Sequence, residues 1–129
     1  MRTKLAILVA GLGLFCSVSP AVAHHAFGGE YDASKVVTLK GTVTKLEWTN
    51  PHARLYVDVT QPNGTVTSWN LELEGVSSLA RRGWTRKTLT VGDTVTIVGE
   101  MARSGVSVAH AKSITLADGK QVFEGDNDR

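Results

Sequence analysis

Val37-Thr38-Leu39-Lys40-Gly41-Thr42-Val43-Thr44-Lys45-Leu46-Glu47-Trp48 is the stretch whose reading decides the fold. Val37, Leu39, Gly41 and Val43 alternate with polar Thr38, Lys40, Thr42 and Thr44, the period of two that marks a half-buried strand. After Val43 the apolar parity changes, because Leu46 and Trp48 stand on even positions. A bulge or a strong coil reconciles the two halves, and Gly41 eases the bend. A first strand of this kind can serve two sheets at once.

Further along the chain, Asn50-Pro51 breaks the run, and Leu55, Val57 and Val59 resume the alternation against Arg54, Tyr56 and Asp58. Pro62-Asn63-Gly64 supplies a hairpin signal. Trp69, Leu71 and Leu73 then form the inner face of the returning strand, with Asn70, Glu72 and Glu74 outside. Residues 75–83 read as one short helix: Ser77 or Ser78 can cap it, Val76, Leu79 and Ala80 fall at helical spacing, and Gly83 suits its exit. Gly92-Asp93 turns the chain into a fourth strand with Val95 and Ile97 on one side. A fifth runs over about 106–116, and residues 120–123 can add a short edge.

Three strands, a short helix and two more strands, with a coiled first strand, describe a mainly β protein: a small five-stranded barrel like the OB-fold, with its helix between strands 3 and 4. An immunoglobulin-like sandwich needs about seven strands and no interposed helix. The segments expected are a signal peptide over 1–23, an irregular amino-terminal arm over 24–35, the barrel over 36–123 and a polar tail over 124–129.

The leader follows from its order. Arg2 and Lys4 precede an apolar stretch that ends near Phe15, and Ala21-Val22-Ala23 makes a small-x-small exit. A spanning helix needs about 20 apolar residues, more than this stretch holds, so cleavage after Ala23 is expected over a retained anchor. Phe15 before Cys16 is too bulky for a lipidation site. The destination is the periplasm. Removing Arg2 and Lys4 from 14 basic residues leaves 12 against 12 acidic ones, so the mature chain is formally neutral. Long-range steering towards nucleic acid loses its main support, and nucleic acid is set aside as a partner. Stable membrane insertion after cleavage is likewise not expected. Cys16 departs with the leader, and the mature domain rests on its core alone.

Cleavage there exposes His24-His25. A first-position histidine offers its α-amine and Nδ1 in one chelate ring, and a further imidazole completes a T-shaped nitrogen site suited to Cu(II). The metal expectation therefore names His24, His25 and His52, with copper as the only cofactor. His52 lies in Trp48-Thr49-Asn50-Pro51-His52, the connection between strands 1 and 2, where loops at the mouth of such barrels carry ligand contacts. Trp48 and Asn50 join it as candidate ligand-binding residues. His110 shares strand parity with Val108 and reads as a partly buried, hydrogen-bonded side chain.

A second candidate surface gathers Arg81, Arg82, Arg86 and Lys87 around Trp84. With Trp84 exposed, Arg82 and Trp84 would bind an anionic glycan or an envelope partner without metal. The plain alternative is a solvated helix end with cations near its carboxyl terminus. No cysteine nucleophile, nucleophile elbow, paired-histidine zinc helix or phosphate loop occurs in the mature chain, so an enzyme is not the expectation. Glu72 and Glu74 read as solvated strand carboxylates.

Taken together, His24-His25-Ala26-Phe27, the stretch from Val37 through Val43, Glu47-Trp48-Thr49-Asn50-Pro51-His52, Arg81-Arg82-Gly83-Trp84-Thr85 and Val91-Gly92-Asp93-Thr94-Val95 resemble a family of small exported bacterial proteins classed as domain of unknown function 6152. The likeness spans nearly the whole mature chain. It implies an envelope protein with an OB-like barrel, and it transfers no catalytic residue. Where similar sequences often carry an aromatic residue two positions after His52, this chain has Arg54, which implies a more polar ligand surface.

Overall fold

The computed structural model describes residues 29–125. Along these residues run β1 (Tyr31–Glu47), β2 (Arg54–Thr60), β3 (Val66–Glu72), the helix α1 (Val76–Arg81), β4 (Thr94–Ala102), β5 (Val108–Leu116) and β6 (Gln121–Glu124). Hydrogen-bonded neighbours run β3-β2-β1-β4-β5-β6, and a further parallel pairing of β3 with β5 closes the first five strands on one another. This is the expected OB-like architecture, with β6 added outside the barrel as the sixth strand.

β1 does serve two neighbours. Its first part pairs with β4 from Tyr31↔Ala102 to Thr42↔Thr94, and its last part pairs with β2 from Thr42↔Asp58 to Glu47↔Arg54. The register slips by one between Val43 and Lys45, so Thr44 is the extra residue that moves the apolar parity from odd to even. Gly41 contributes something other than bending. A Cβ at that position would lie 2.5 Å from the Asp58 carbonyl oxygen, so glycine is needed for the close approach of β1 to β2.

The strand begins earlier than expected. Tyr31 already pairs with Ala102, and residues 32–35 bulge out before pairing resumes at Val36↔Glu100. The bulge holds itself through Asp32, whose carboxylate accepts from the Ser34 N–H at 3.0 Å and the Ser34 hydroxyl at 2.6 Å. These two bonds lower the pKa of Asp32. At the other end the fold also extends past its expected limit, since Glu124 belongs to β6 and the Gly125 N–H donates to the Lys112 carbonyl.

α1 starts at Gly75 without a side-chain cap, so neither Ser77 nor Ser78 plays that part; the Ser78 hydroxyl instead donates to Glu74. The exit is as expected. Gly83 has φ +86°, its N–H donates to the Ala80 carbonyl, and the Trp84 N–H donates to the Leu79 carbonyl, which together form a Schellman motif.

That motif sends Trp84 inward. The side chain is 5% exposed, meets Phe123 edge-on at 6.0 Å, and its Nε1–H donates to the Val122 carbonyl at 2.8 Å. Arg82 donates to the Glu124 carbonyl and pairs with Glu74 at 2.9 Å. The helix exit therefore occupies two carbonyls on the outer edge of β6, which would otherwise be open to pairing with another chain.

Inside the barrel, Leu39, Val43, Leu55, Val57, Trp69, Leu71, Leu73, Val95, Ile97, Ala109 and Ile114 form one continuous core with Leu79, Trp84 and Phe123. Because the Cβ clash at position 41 is with backbone, Gly41→Ala should cost about 1–3 kcal/mol, read as a lower urea midpoint at an unchanged m-value. An unchanged midpoint would show that β1 does not need its close approach.

Candidate functional site

Glutamate, arginine and histidine side chains line up across five strands at one end of the barrel. Glu47 is opposite Arg54, Arg54 opposite Glu72, Glu72 opposite His110, and His110 opposite Glu100. Residues directly opposite one another share a face of the sheet, so these five form a single row of mostly alternating charge. The inner face of β3 belongs to Trp69, Leu71 and Leu73, so the row lies on the outside. It passes between the β1–β2 loop (residues 48–53) and the β4–β5 loop (residues 103–107), on the β2–β3 face where OB-folds commonly hold ligands.

Glu72 is the centre of the row and is only 4% exposed, contrary to its reading as a solvated strand carboxylate. Side chains from three directions cover it. The Tyr31 hydroxyl donates to Oε2, His52 Nδ1 stands 2.8 Å from Oε1, and Arg54 approaches Oε2 at 3.4 Å while also donating to Asn70 at 3.3 Å. A buried carboxylate is costly unless such partners surround it. Tyr31 is itself buried, and its ring lies 5.6 Å from that of His110. Glu100, beyond His110, is also buried.

Burial, followed by the hydrogen bond to Glu72, raises the Tyr31 phenol above its ordinary pKa of 10.0. At the far end of the row, Glu47 accepts from Lys45 at 2.6 Å and from the Tyr56 hydroxyl at 3.3 Å. The Lys45 ammonium holds the Glu47 carboxyl below the usual carboxylate range.

Of the residues expected from sequence, His52 enters this cluster directly, with its side chain 27% exposed. Trp48 is partly buried against the core, and Asn50 is exposed, joined to Pro51 by a cis bond. Asn50 and Trp48 thus flank the cluster on the β1–β2 loop. The loop is fixed to β3 by the Ala53 N–H, which donates to the Glu74 carbonyl, and by the Leu73 N–H, which donates to the Ala53 carbonyl. Arg82 and Trp84 lie elsewhere, at the helix exit. Because Trp84 is packed in the core, the stacking surface expected around it does not form. His24 and His25 lie outside the described residues, and among the described residues no group of three or more His, Cys, Asp or Glu side chains is placed to hold a metal ion.

Tyr31, Arg54 and Glu72 were absent from the expected site. Arg54 carried a signal, as a polar residue where an aromatic one is common. Tyr31 and Glu72 are 41 positions apart, and their contact depends on the barrel closing.

The raised pKa of Tyr31 has a sign that can be worked out. The folded chain holds this proton more tightly than the unfolded one, so its contribution is complete below about pH 10 and is lost as pH rises through the raised folded value. Urea midpoints of the wild type should therefore fall more steeply between pH 10 and 11 than those of Tyr31→Phe. Parallel pH profiles would contradict the phenol's burial.

A mitochondrial single-stranded DNA binding protein from S. cerevisiae, Rim1, has a similar solved structure: the TM-score is 0.50 at 10% identity, over 68% of this chain and 95% of that one. At this identity the likeness establishes the fold. It also corrects one expectation, because a fold shared with a single-stranded DNA binding protein gives no ground for setting nucleic acid aside as a partner. No helix among the described residues is long and apolar enough to cross a membrane. No curated protein matches the sequence. The family of unknown function DUF6152 matches residues 11–111, which is most of the chain, and the protein belongs to that family.

Proposed function

We propose that the protein is an exported copper-binding module of the bacterial cell envelope, in which His24 and His25 of the processed chain join His52 as nitrogen ligands. The observation that carries the reading is the meeting of Tyr31 and His52 on one carboxylate, Glu72. Tyr31 is the sixth residue after His25, and six residues span at most about 20 Å when extended. The histidines of the arm are thus tethered within reach of the His52 imidazole. Two further points support the reading. His52 pairs through one ring nitrogen with a carboxylate, the arrangement usual for metal-ligating histidines. Amine and imidazole nitrogens also suit Cu(II) over most divalent ions.

Among the described residues no three His, Cys, Asp or Glu side chains are placed to hold a metal ion, so in this reading the arm supplies the remaining nitrogens. That requirement makes processing part of the site, since a chelate through the α-amine of His24 exists only after cleavage at residue 23. Binding should also depend on pH. The α-amine titrates near ~7.7–8.0 and imidazole near ~6.5, so the metal competes with protons at neutral pH.

Calorimetry with Cu(II) tests the reading. The processed chain should bind one equivalent at pH 7.5, and binding should weaken at least tenfold by pH 5.5. His24→Ala and His52→Ala should each weaken it as well. Intact mass of the exported protein should give a chain that begins at His24. An amino terminus elsewhere, or full affinity in both variants, would refute the proposal.

A further inference from the structure

The helix exit presents a surface that neither the core nor the polar row uses. Residues 75–92 carry Arg81, Arg82, Arg86 and Lys87 and no acidic residue, whereas the rest of the span 29–125 has seven basic residues against ten acidic ones. All four cations of the segment are exposed. Arg82 is engaged within the fold, since it pairs with Glu74 and donates to the Glu124 carbonyl. Arg81, Arg86 and Lys87 pair with no carboxylate among the described residues. The positive charge of the domain is thus gathered on one short segment and directed at solvent.

The backbone beneath these charges is held. The Gly83 turn buries Trp84 against Phe123, and the indole N–H is fixed to the Val122 carbonyl. Immediately after it, the Thr88 N–H donates to the Thr85 carbonyl at 3.1 Å, the Lys87 N–H to the Thr85 hydroxyl at 3.1 Å, and the Thr85 N–H to the Thr88 hydroxyl at 2.9 Å. Arg86 and Lys87 are therefore the two central residues of a closed β-turn, anchored on either side by buried Trp84 and Leu89. A preorganised backbone lowers the ordering cost of binding.

The segment's composition narrows the partner. Single-stranded nucleic acid is held by charge together with aromatic stacking, and Trp84, the one aromatic residue of the segment, is inside the core. Binding here rests on charge, which suits a partner presenting many phosphates in no fixed pattern. Guanidinium groups match phosphate oxygens through paired N–H donors. Clustered Lys and Arg side chains bind anionic lipid headgroups with a gain of about fivefold for each cation. The more acidic remainder of the domain is repelled by the same headgroups, so the helix exit is the side that turns towards them.

We infer that Arg81, Arg86 and Lys87 form a docking surface for an anionic phospholipid membrane, with buried Trp84 as the anchor of the turn and not a stacking platform. The contact is electrostatic and peripheral, and it holds whether or not the protein binds copper.

Flotation with lipid vesicles tests the inference, using the processed chain so that the leader cannot itself enter the bilayer. At about 50 mM NaCl the wild type should float with vesicles of equal parts phosphatidylglycerol and phosphatidylcholine, and stay behind with phosphatidylcholine alone. At about 500 mM NaCl the binding should be largely lost, because salt screens exposed charges. Arg86→Ala and Lys87→Ala should each lower the partition coefficient about fivefold, and the double variant Arg86→Glu/Lys87→Glu should abolish flotation. Lys40→Ala, which removes an exposed cation of β1, should leave it unchanged. All these side chains are exposed, so urea midpoints should stay at the wild-type value and separate a lost contact from a lost fold. Equal binding to neutral and anionic vesicles, or full flotation of the double variant, would overturn the inference. So would an equal loss in Lys40→Ala, which would assign the binding to net charge. A wild-type chain that ignores the vesicles yet captures an oligothymidylate or soluble polyphosphate through Arg86 and Lys87 would also overturn it, and would assign the surface to that polyanion.

Discussion

A carboxylate taken almost wholly out of water organises this end of the barrel. Glu72 is on the outward side of β3, where a glutamate would ordinarily be solvated, yet a tyrosine, a histidine and an arginine enclose it. Burying such a charge is unfavourable by several kcal/mol unless donors replace the water it loses. The three donors come from three parts of the chain: the start of β1, the β1–β2 loop and the start of β2. Satisfying one carboxylate therefore ties the start of β1 to a loop and a strand that are already held against this part of the chain by backbone hydrogen bonds.

Barrel geometry makes that meeting possible. β1 must pass from β4 to β2, which requires the extra residue at Thr44 and the absence of a side chain at Gly41. β3 must reach β5 in parallel, and it does so over just three residue pairs, the last of them Glu72↔His110. The polar row thus crosses the seam at which the barrel closes. The same closure places the β1–β2 and β4–β5 loops on either side, the position from which barrels of this architecture commonly hold ligands. Here the root of the amino-terminal arm lies over that position, with the Tyr31 ring beside His110.

Much of this was legible in the sequence, and the exceptions share a cause. Alternation located β2 and β3, the parity change after Val43 located the bulge, and Gly83 located the end of α1, because each is a local consequence of backbone period or backbone conformation. Glu72 misled because strand alternation distinguishes inside from outside and carries no information on what covers the outside. Its cover arrives from Tyr31, 41 residues away. Trp84 misled in the opposite sense. Its basic neighbours suggested a surface, but the turn at Gly83 directs the indole onto β6, a strand that begins 37 residues later. His52 lies in the connection between β1 and β2 that its sequence context indicates, and its partner Glu72 is the part that local sequence does not reveal.

A double-mutant cycle in the metal-free protein tests the central claim most directly. Tyr31→Phe and His52→Ala remove groups that meet through Glu72, and urea unfolding measures each variant and the pair. If one carboxylate unites them, the loss in the double variant should differ from the sum of the single losses by about 0.5–3 kcal/mol, as for residues in one hydrogen-bond network. Losses that add to within about 0.3–0.5 kcal/mol would mean that the arm and the loop are held independently, and would contradict the account.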